Sequence, residues 1–399
     1  MKILVLANKL PYPPKDGGSI ATLNMLTGLA GSGNQVTCLA LNTTKHNFPV
    51  KDIPQSLTRT IRFMGIDCDS AIRPLPMLLN LLFSRKPYIA ERFNNGEFRQ
   101  HLANLLDEEQ FDIIQLEGPY PGHYMDVIRD KSKAPVSFRA HNVEHLIWTR
   151  KATHERFLLK RWYLLNMASR LKQFEMEVVH RCNCLVTISP VDQAWFREHG
   201  AGQPAITIPT GLSMEEYPQT PLPEDHSLFF IGALDWLPNQ EGLRWFLEHV
   251  FDALCEEVPG LRFHVAGRNA PPFFEKFLKN EQIIYHGEVE DAKKFMQSYR
   301  VMVAPLFTGS GIRIKILEAM ALGRPVVTTP IGIEGIPAEN SREIMVSNNP
   351  ESFKHQVVNL ISNKKTAQAL VEGGSALVQE NFDTFGLSAR LSRFLNKQV

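Results

Sequence analysis

The sequence predicts an α/β protein made of two doubly wound, parallel-sheet domains. Three observations predict it. Runs rich in β-branched residues alternate with helical segments from end to end. The alternation restarts after a Pro-, Thr- and Glu-rich stretch at 205–226, which has the composition of a linker. The chain has 399 residues, 44% of them hydrophobic, enough to bury two cores of ordinary size.

Taken in order, KILVLA (2–7), QVTCLAL (35–41), FDIIQLEG (111–118), PVSFRAH (135–141) and CLVTIS (184–189) read as buried strands bounded by turn residues. Between them, 19–33 and the long stretch 142–182 read as helices. A second series follows: SLFFIGA (227–233), LRFHVAG (261–267), QIIYHGEV (282–289), VMVAPL (301–306) and PVVTTP (325–330). The predicted domains are therefore 1–205 and 206–382, with a C-terminal helix at 383–399 packing back on the first. In such sheets ligands bind beyond the carboxyl ends of the strands, and the facing edges of two domains make a cleft.

Composition narrows the function. A formal net charge of +1 gives nucleic acid no electrostatic footing. Five scattered cysteines suggest reduced thiols in a cytoplasmic protein, and the Cys182/Cys184 pair lacks the companions of a zinc site. The first apolar run is too short for a signal-peptide core, and no run approaches the ~18 apolar residues of a membrane span.

The residues after each strand carry the chemistry. Gly17 and Gly18 precede Ser19 and the helix it could cap; they either bring backbone close to an anionic ligand or supply a positive φ, and both readings stand. Glu117 closes one strand, as acceptor contact or ion-pair partner. His141, Asn142 and Glu144 follow another, as proton handler and polar contacts or as a helix N-cap with a buried neighbour. In the second series Arg268 and Gly287 follow strands. The stretch TGSGIRIKILEAMALG then offers Gly309 and Gly311 as a loop, a helix beginning near Ile312, and Arg313 and Lys315 as an anion site. Glu318 suits sugar or ribose hydroxyls; the alternative is a Lys315–Glu318 pair on a solvated face, worth only ~0.2–0.5 kcal/mol. The spacing Asp67-Cys68-Asp69 reads as a loop outside the site, not a metal motif.

Over nearly its whole length the chain resembles the retaining, nucleotide-sugar-dependent glycosyltransferases of family 4 (group 1), and among them exopolysaccharide-cluster sugar transferases. The motifs that carry this are PYPPKDGGSI, VTISPVDQAWF, TIPTGLSMEEY, FIGALDWLPNQEGLRWF, HVAGRN, YHGEVEDAKKF and VAPLFTGSGIRIKILEAMALGRPVVTT, in the family's order and spacing. The resemblance implies a GT-B fold: two Rossmann-like domains facing across a cleft, the first for the acceptor and the second for the donor.

It also implies roles. Glu318 corresponds to the second carboxylate of a Glu–seven residues–Glu motif contacting the donor ribose, and the first falls at Ser310. The family's Arg and Lys phosphate pair is absent from ALDWLPNQEG, so Arg313 and Lys315 are assigned that charge. His141 and Glu318 are the catalytic candidates. Gly17, Gly18, Arg268, Gly287, Gly309, Ser310, Gly311, Arg313 and Lys315 join Glu318 on the donor side, and Glu117, Asn142 and Glu144 face the acceptor. The implied reaction moves a sugar from a UDP- or GDP-sugar to an acceptor hydroxyl with retention, without cofactor or metal.

The acceptor is expected to be a glycan or lipid-linked. Residues 71–93 and 156–172 mix apolar and basic side chains and suit either helices packed on the sheet, the favoured reading, or peripheral contact at the inner face of a membrane. Two rivals remain: a nucleotide-sugar epimerase, and a catalytically silent GT-B subunit suggested by Ser310. A dinucleotide oxidoreductase would need a G-x-G-x-x-G after the first strand, where NKLPYPPKDGG stands.

Overall fold

Alternation of buried runs and helices produces two parallel sheets, each in its own unit. The computed structural model describes residues 1–153, 155–271, 279–309 and 311–399, apart from the side chain of Lys45. One unit comprises Met1–Gly211 and Thr384–Val399, the other Leu212–Asp383.

In the first unit, β1 (Lys2–Ala7), β2 (Gln35–Thr43), β3 (Ile61–Cys68), β4 (Ile113–Glu117), β5 (Val136–Ala140), β6 (Cys184–Thr187) and β7 (Ala205–Thr207) pair in the order β3-β2-β1-β4-β5-β6-β7. All pairs run parallel. Central strands are buried on both faces, which their unbroken apolar runs require. Strand order reverses between β1 and β4, so the crevice for a ligand opens beyond Ala7 and Glu117.

Local details depart from the sequence reading. Helix α1 (Gly17–Gly31) is capped by Asp16, whose Oδ1 accepts the Ser19 N–H at 2.9 Å, so Ser19 is the capped residue and not the cap. Gly17 and Gly18 are not among the glycines with positive φ. Asp67 and Cys68 close β3, Asp67 accepting from Asn42, while Asp69 just beyond it pairs with Arg73; this segment ends a strand where a loop was expected. Helix α2 (Pro74–Phe83) follows it. The expected single helix at 142–182 is two, α3 (Glu144–Thr153) and α4 (Leu158–Arg181), with extended backbone at Phe157 between them.

In the second unit, β8 (Ser227–Ile231), β9 (Arg262–Ala266), β10 (Ile283–Gly287), β11 (Val301–Ala304), β12 (Val326–Thr328) and β13 (Met345–Val346) pair in the order β10-β9-β8-β11-β12-β13, again all parallel. Here the order reverses between β8 and β11. Helix α5 (Ile314–Ala321) starts two residues later than expected, because Gly311 sits at φ 82° and Arg313, the N-cap, is non-helical at φ −84°, ψ 86°.

The chain then returns to the first unit as α6 (Thr384–Asn396). Leu387, Leu391 and Leu395, spaced one helical turn apart, join Leu23, Leu26 and Leu29 of α1 in one core cluster. Close approach depends on Gly28 and Gly31, where a Cβ would strike Ser388 and Phe385.

Candidate active site

The first unit carries a cavity of about 190 Å³ at its switch point, lined among others by Lys9, Gly18, Glu117, His141, Asn142 and Glu144. Five of its six expected residues thus meet in one place; Gly17 stays at the helix start, outside the lining. The glycine pair leaves room near a cation, since a Cβ on Gly18 would come within 3.3 Å of Lys9 Nζ. That lysine is bound to the cap, Asp16, whose carboxyl Lys9 holds below its ordinary value against the effect of burial.

Glu117 is the centre of this site. Its Oε2 accepts from Arg139 at 2.8 Å, from His141 Nε2 at 2.7 Å and from Thr22 at 3.1 Å, and its Oε1 from Gln115 at 2.7 Å. Burial alone would raise its pKa; Arg139, His141 and Gln115 outweigh burial and hold it at about 2. Burial pushes the His141 imidazole below its usual value despite Glu117, so the ring is neutral at pH 7. An ionised carboxylate only accepts, so Nε2 carries the ring proton and Nδ1 is left as an acceptor for a hydroxyl.

Glu144 behaves oppositely. Burial and the neighbouring Glu175 push it up to about 7, although Tyr120 donates to its Oε1 at 2.8 Å. It is the carboxyl in this cavity poised to change charge near neutrality. Asn142 does not cap α3 as one reading had it. Glu175, from α4, accepts the Glu144 and His145 N–H groups at 2.8 and 3.4 Å and bonds His145 Nδ1 at 2.7 Å.

In the second unit the expected donor residues fall just after strands and in the first turns of α5. Gly309 and Gly311 adopt φ 104° and 82°, conformations that favour glycine, and lead from β11 to α5. The Arg313 guanidinium is nearly buried and donates to the Gly311 carbonyl. Lys315 Nζ lies 2.6 Å from Glu318, and Tyr217 donates to the other Glu318 oxygen at 3.0 Å. Glu318 is 4% exposed, so the Lys315–Glu318 pair does form but not on a solvated face. Arg268 lies two residues beyond β9, and Gly287, at φ 66°, ends β10. In the sheet order these strands stand two and three places from β11, roughly 10 and 14 Å at the usual strand spacing. Ser310 lies outside the described residues.

Sequence reasoning missed Arg139, Glu175 and Tyr217. The first two left a signal: Arg139 is a cation inside an otherwise apolar buried strand, and Glu175 an acid on the buried stripe of α4 beside Leu171, Phe174 and Val178.

Against known proteins, the chain is similar over its whole length to two solved structures. Anabaena HepE in complex with UDP matches with TM-score 0.69 and 13% identity, covering 100% of both chains. Sucrose-phosphate synthase from Thermosynechococcus elongatus matches with TM-score 0.73 and 15% identity, covering 100% of this chain and 99% of the other. These likenesses establish a GT-B fold of two Rossmann-like domains. An uncharacterized 44.6 kDa protein in the cps region of Klebsiella pneumoniae is 21% identical over 394 residues, 96% of this chain and 97% of that protein. Residues 225–363 match the family described as Glycosyl transferases group 1, and residues 15–216, half of the chain, match Glycosyltransferase Family 4. The chain belongs to glycosyltransferase family 4.

Proposed function

We propose that this glycosyltransferase moves a sugar from a nucleoside diphosphate sugar to an acceptor hydroxyl with retention, in the synthesis of cell-surface polysaccharide or glycolipid. The second unit takes the donor and the cavity of the first takes the acceptor side, on the cytoplasmic side of the membrane. The observation that carries the reading is Glu318, a buried acceptor-only carboxylate one turn into α5 behind a glycine loop at the switch point of its sheet. HepE binds UDP, which favours a uridine donor. The Klebsiella relative in the cps region favours capsule-like products.

On this reading the leaving diphosphate gathers negative charge, and the free N–H groups at the start of α5, with Arg313 and Lys315, stabilise it. Glu318, already fixed by Tyr217, orients the ribose. In the first unit Glu117 holds His141 as a neutral ring with Nδ1 available to accept from a sugar hydroxyl, while Glu144 takes or returns a proton near pH 7.

A thermal-shift screen against UDP-, GDP- and ADP-sugars, followed by NMR assignment of the product anomer, tests this. Stabilisation by one nucleotide class and a product of unchanged anomeric configuration is the expected result. Binding without turnover across a broad acceptor panel would instead establish a silent subunit. Product formed without any acceptor would establish an epimerase.

A further inference from the structure

Helix α2 buries none of its ten residues although it reads PLPMLLNLLF. Soluble helices hide such a face, and this one shows Leu75, Leu82 and Phe83 to solvent, the last 82% exposed. The same holds at the start of α4, where Leu158, Leu159 and Trp162 are 76%, 72% and 57% exposed. Eleven of the nineteen large hydrophobic residues exposed among the described residues fall within 72–83 and 157–165, so the patch is concentrated and not scattered. The stretches adjoin: the Arg170 guanidinium of α4 donates to the carbonyls of Asn80, Leu81 and Ser84 at 3.1, 2.9 and 2.7 Å, closing the end of α2.

Charge says what covers this face. Residues 71–90 and 156–172 contain eight Lys and Arg and no Asp or Glu, in a chain whose formal net charge is only +1. Among the described residues the acids touching this set are Asp69 on Arg73 and Glu155 on Lys160, both at its edge. A second copy docked face to face would set like charges against each other at short range. A bilayer with anionic headgroups accepts both features together, the leucines and phenylalanines entering the acyl boundary while the cations meet the headgroups. Trp162 is of the residue type enriched at that depth. No described helix is long and apolar enough to cross a membrane, which makes the contact a surface one.

We propose that α2 and the first turns of α4 form a docking surface for an anionic lipid bilayer. The reading stands on exposure and charge alone and does not depend on which sugar is transferred. Vesicle co-sedimentation of the full chain, without substrate, tests it. Vesicles of three parts phosphatidylcholine to one part phosphatidylglycerol should bind the protein, and pure phosphatidylcholine at least tenfold less. Raising salt should release it, since each cation near such a surface is worth about fivefold in partitioning.

Two variants separate the contributions. Leu82→Asp with Phe83→Asp removes apolar insertion, and Arg85→Glu with Lys86→Glu reverses charge. Each should weaken binding at least tenfold while the melting temperature stays at the wild-type value, because all four residues are exposed. Equal sedimentation of wild type and both variants overturns the proposal, as does no binding at low salt. A concentration-dependent dimer, lost in the Leu82→Asp/Phe83→Asp variant and present without vesicles, overturns it in favour of a second copy.

Discussion

The two candidate sites hold their charges by different means. In the first unit, Glu117 is fixed by partners 22, 24 and 95 residues away in the chain, contributed by β5, the residue after it and α1. In the second, Arg313 donates to Gly311 two residues away, and Lys315 pairs with Glu318 at i, i+3 on α5. The first arrangement is built into the sheet and survives only as a whole. The second is built mostly from pairs close in sequence, with Glu318 also tied to Tyr217, 101 residues away; Lys315, 37% exposed, is the cation placed to turn from its partner toward a ligand. A buried network of partners distant in sequence suits a group that must keep one protonation state; a half-exposed cation beside a glycine loop suits charge that must move toward a substrate.

The largest effect should come from breaking the network. Glu117→Ala leaves the Arg139 guanidinium, 1% exposed, without its counterion, and should cost about 3–5 kcal/mol in urea unfolding. A loss below about 1 kcal/mol would show that the network is not structural. Next comes pH. Glu144, raised from the ordinary 4.5 to about 7, binds a proton in the folded chain that the unfolded chain has released. Stability should therefore fall as pH rises from about 4.5 to about 7, and Glu144→Gln should flatten that slope by on the order of 1–2 kcal/mol. Glu117, lowered to about 2, has the opposite sign: its stabilisation is present above about 4.5 and is lost as pH falls toward 2.

A smaller effect on stability, but a clear one on ligand, is expected at the loop. Arg313→Ala or Lys315→Ala should weaken UDP binding at least about tenfold, or ~1.4 kcal/mol, by calorimetry. Unchanged affinity would remove both residues from the donor site. Smallest is Gly309→Ala, which forces a side chain into φ 104° beside Trp236 and should cost about 1 kcal/mol in thermal unfolding while lowering nucleotide affinity.

This contrast also explains what was legible in the sequence. Alternation revealed both sheets because central strands are buried on two faces and read as apolar runs. Strand β3 escaped because it lies at an edge and alternates buried with exposed residues, β7 because it opens the stretch that looks like a linker, and β13 because two residues make no pattern. The loop from Gly309 to Glu318 was readable since glycines, cations and carboxylate are neighbours in sequence. The first site was read only in part: Glu117 and His141 stand at strand ends, but Arg139 and Glu175 act through partners that proximity in sequence cannot supply. Helix caps show the same limit, since α3 takes its cap from Glu175, 31 residues away from Glu144.

The return of α6 has a consequence for biosynthesis. The first unit is interrupted by the whole of the second, and Leu212 and Asp383, where the second begins and ends, pair in a parallel bridge. A ribosome therefore delivers the second unit entire before the first can close. Until Leu387, Leu391 and Leu395 emerge, the α1 face they share a core with, around Leu26 and Leu29, stays wet. At ~5–20 residues per second, the 172 residues of Leu212–Asp383 hold that face open for roughly ten to thirty seconds, the interval in which a nascent chain most needs a chaperone.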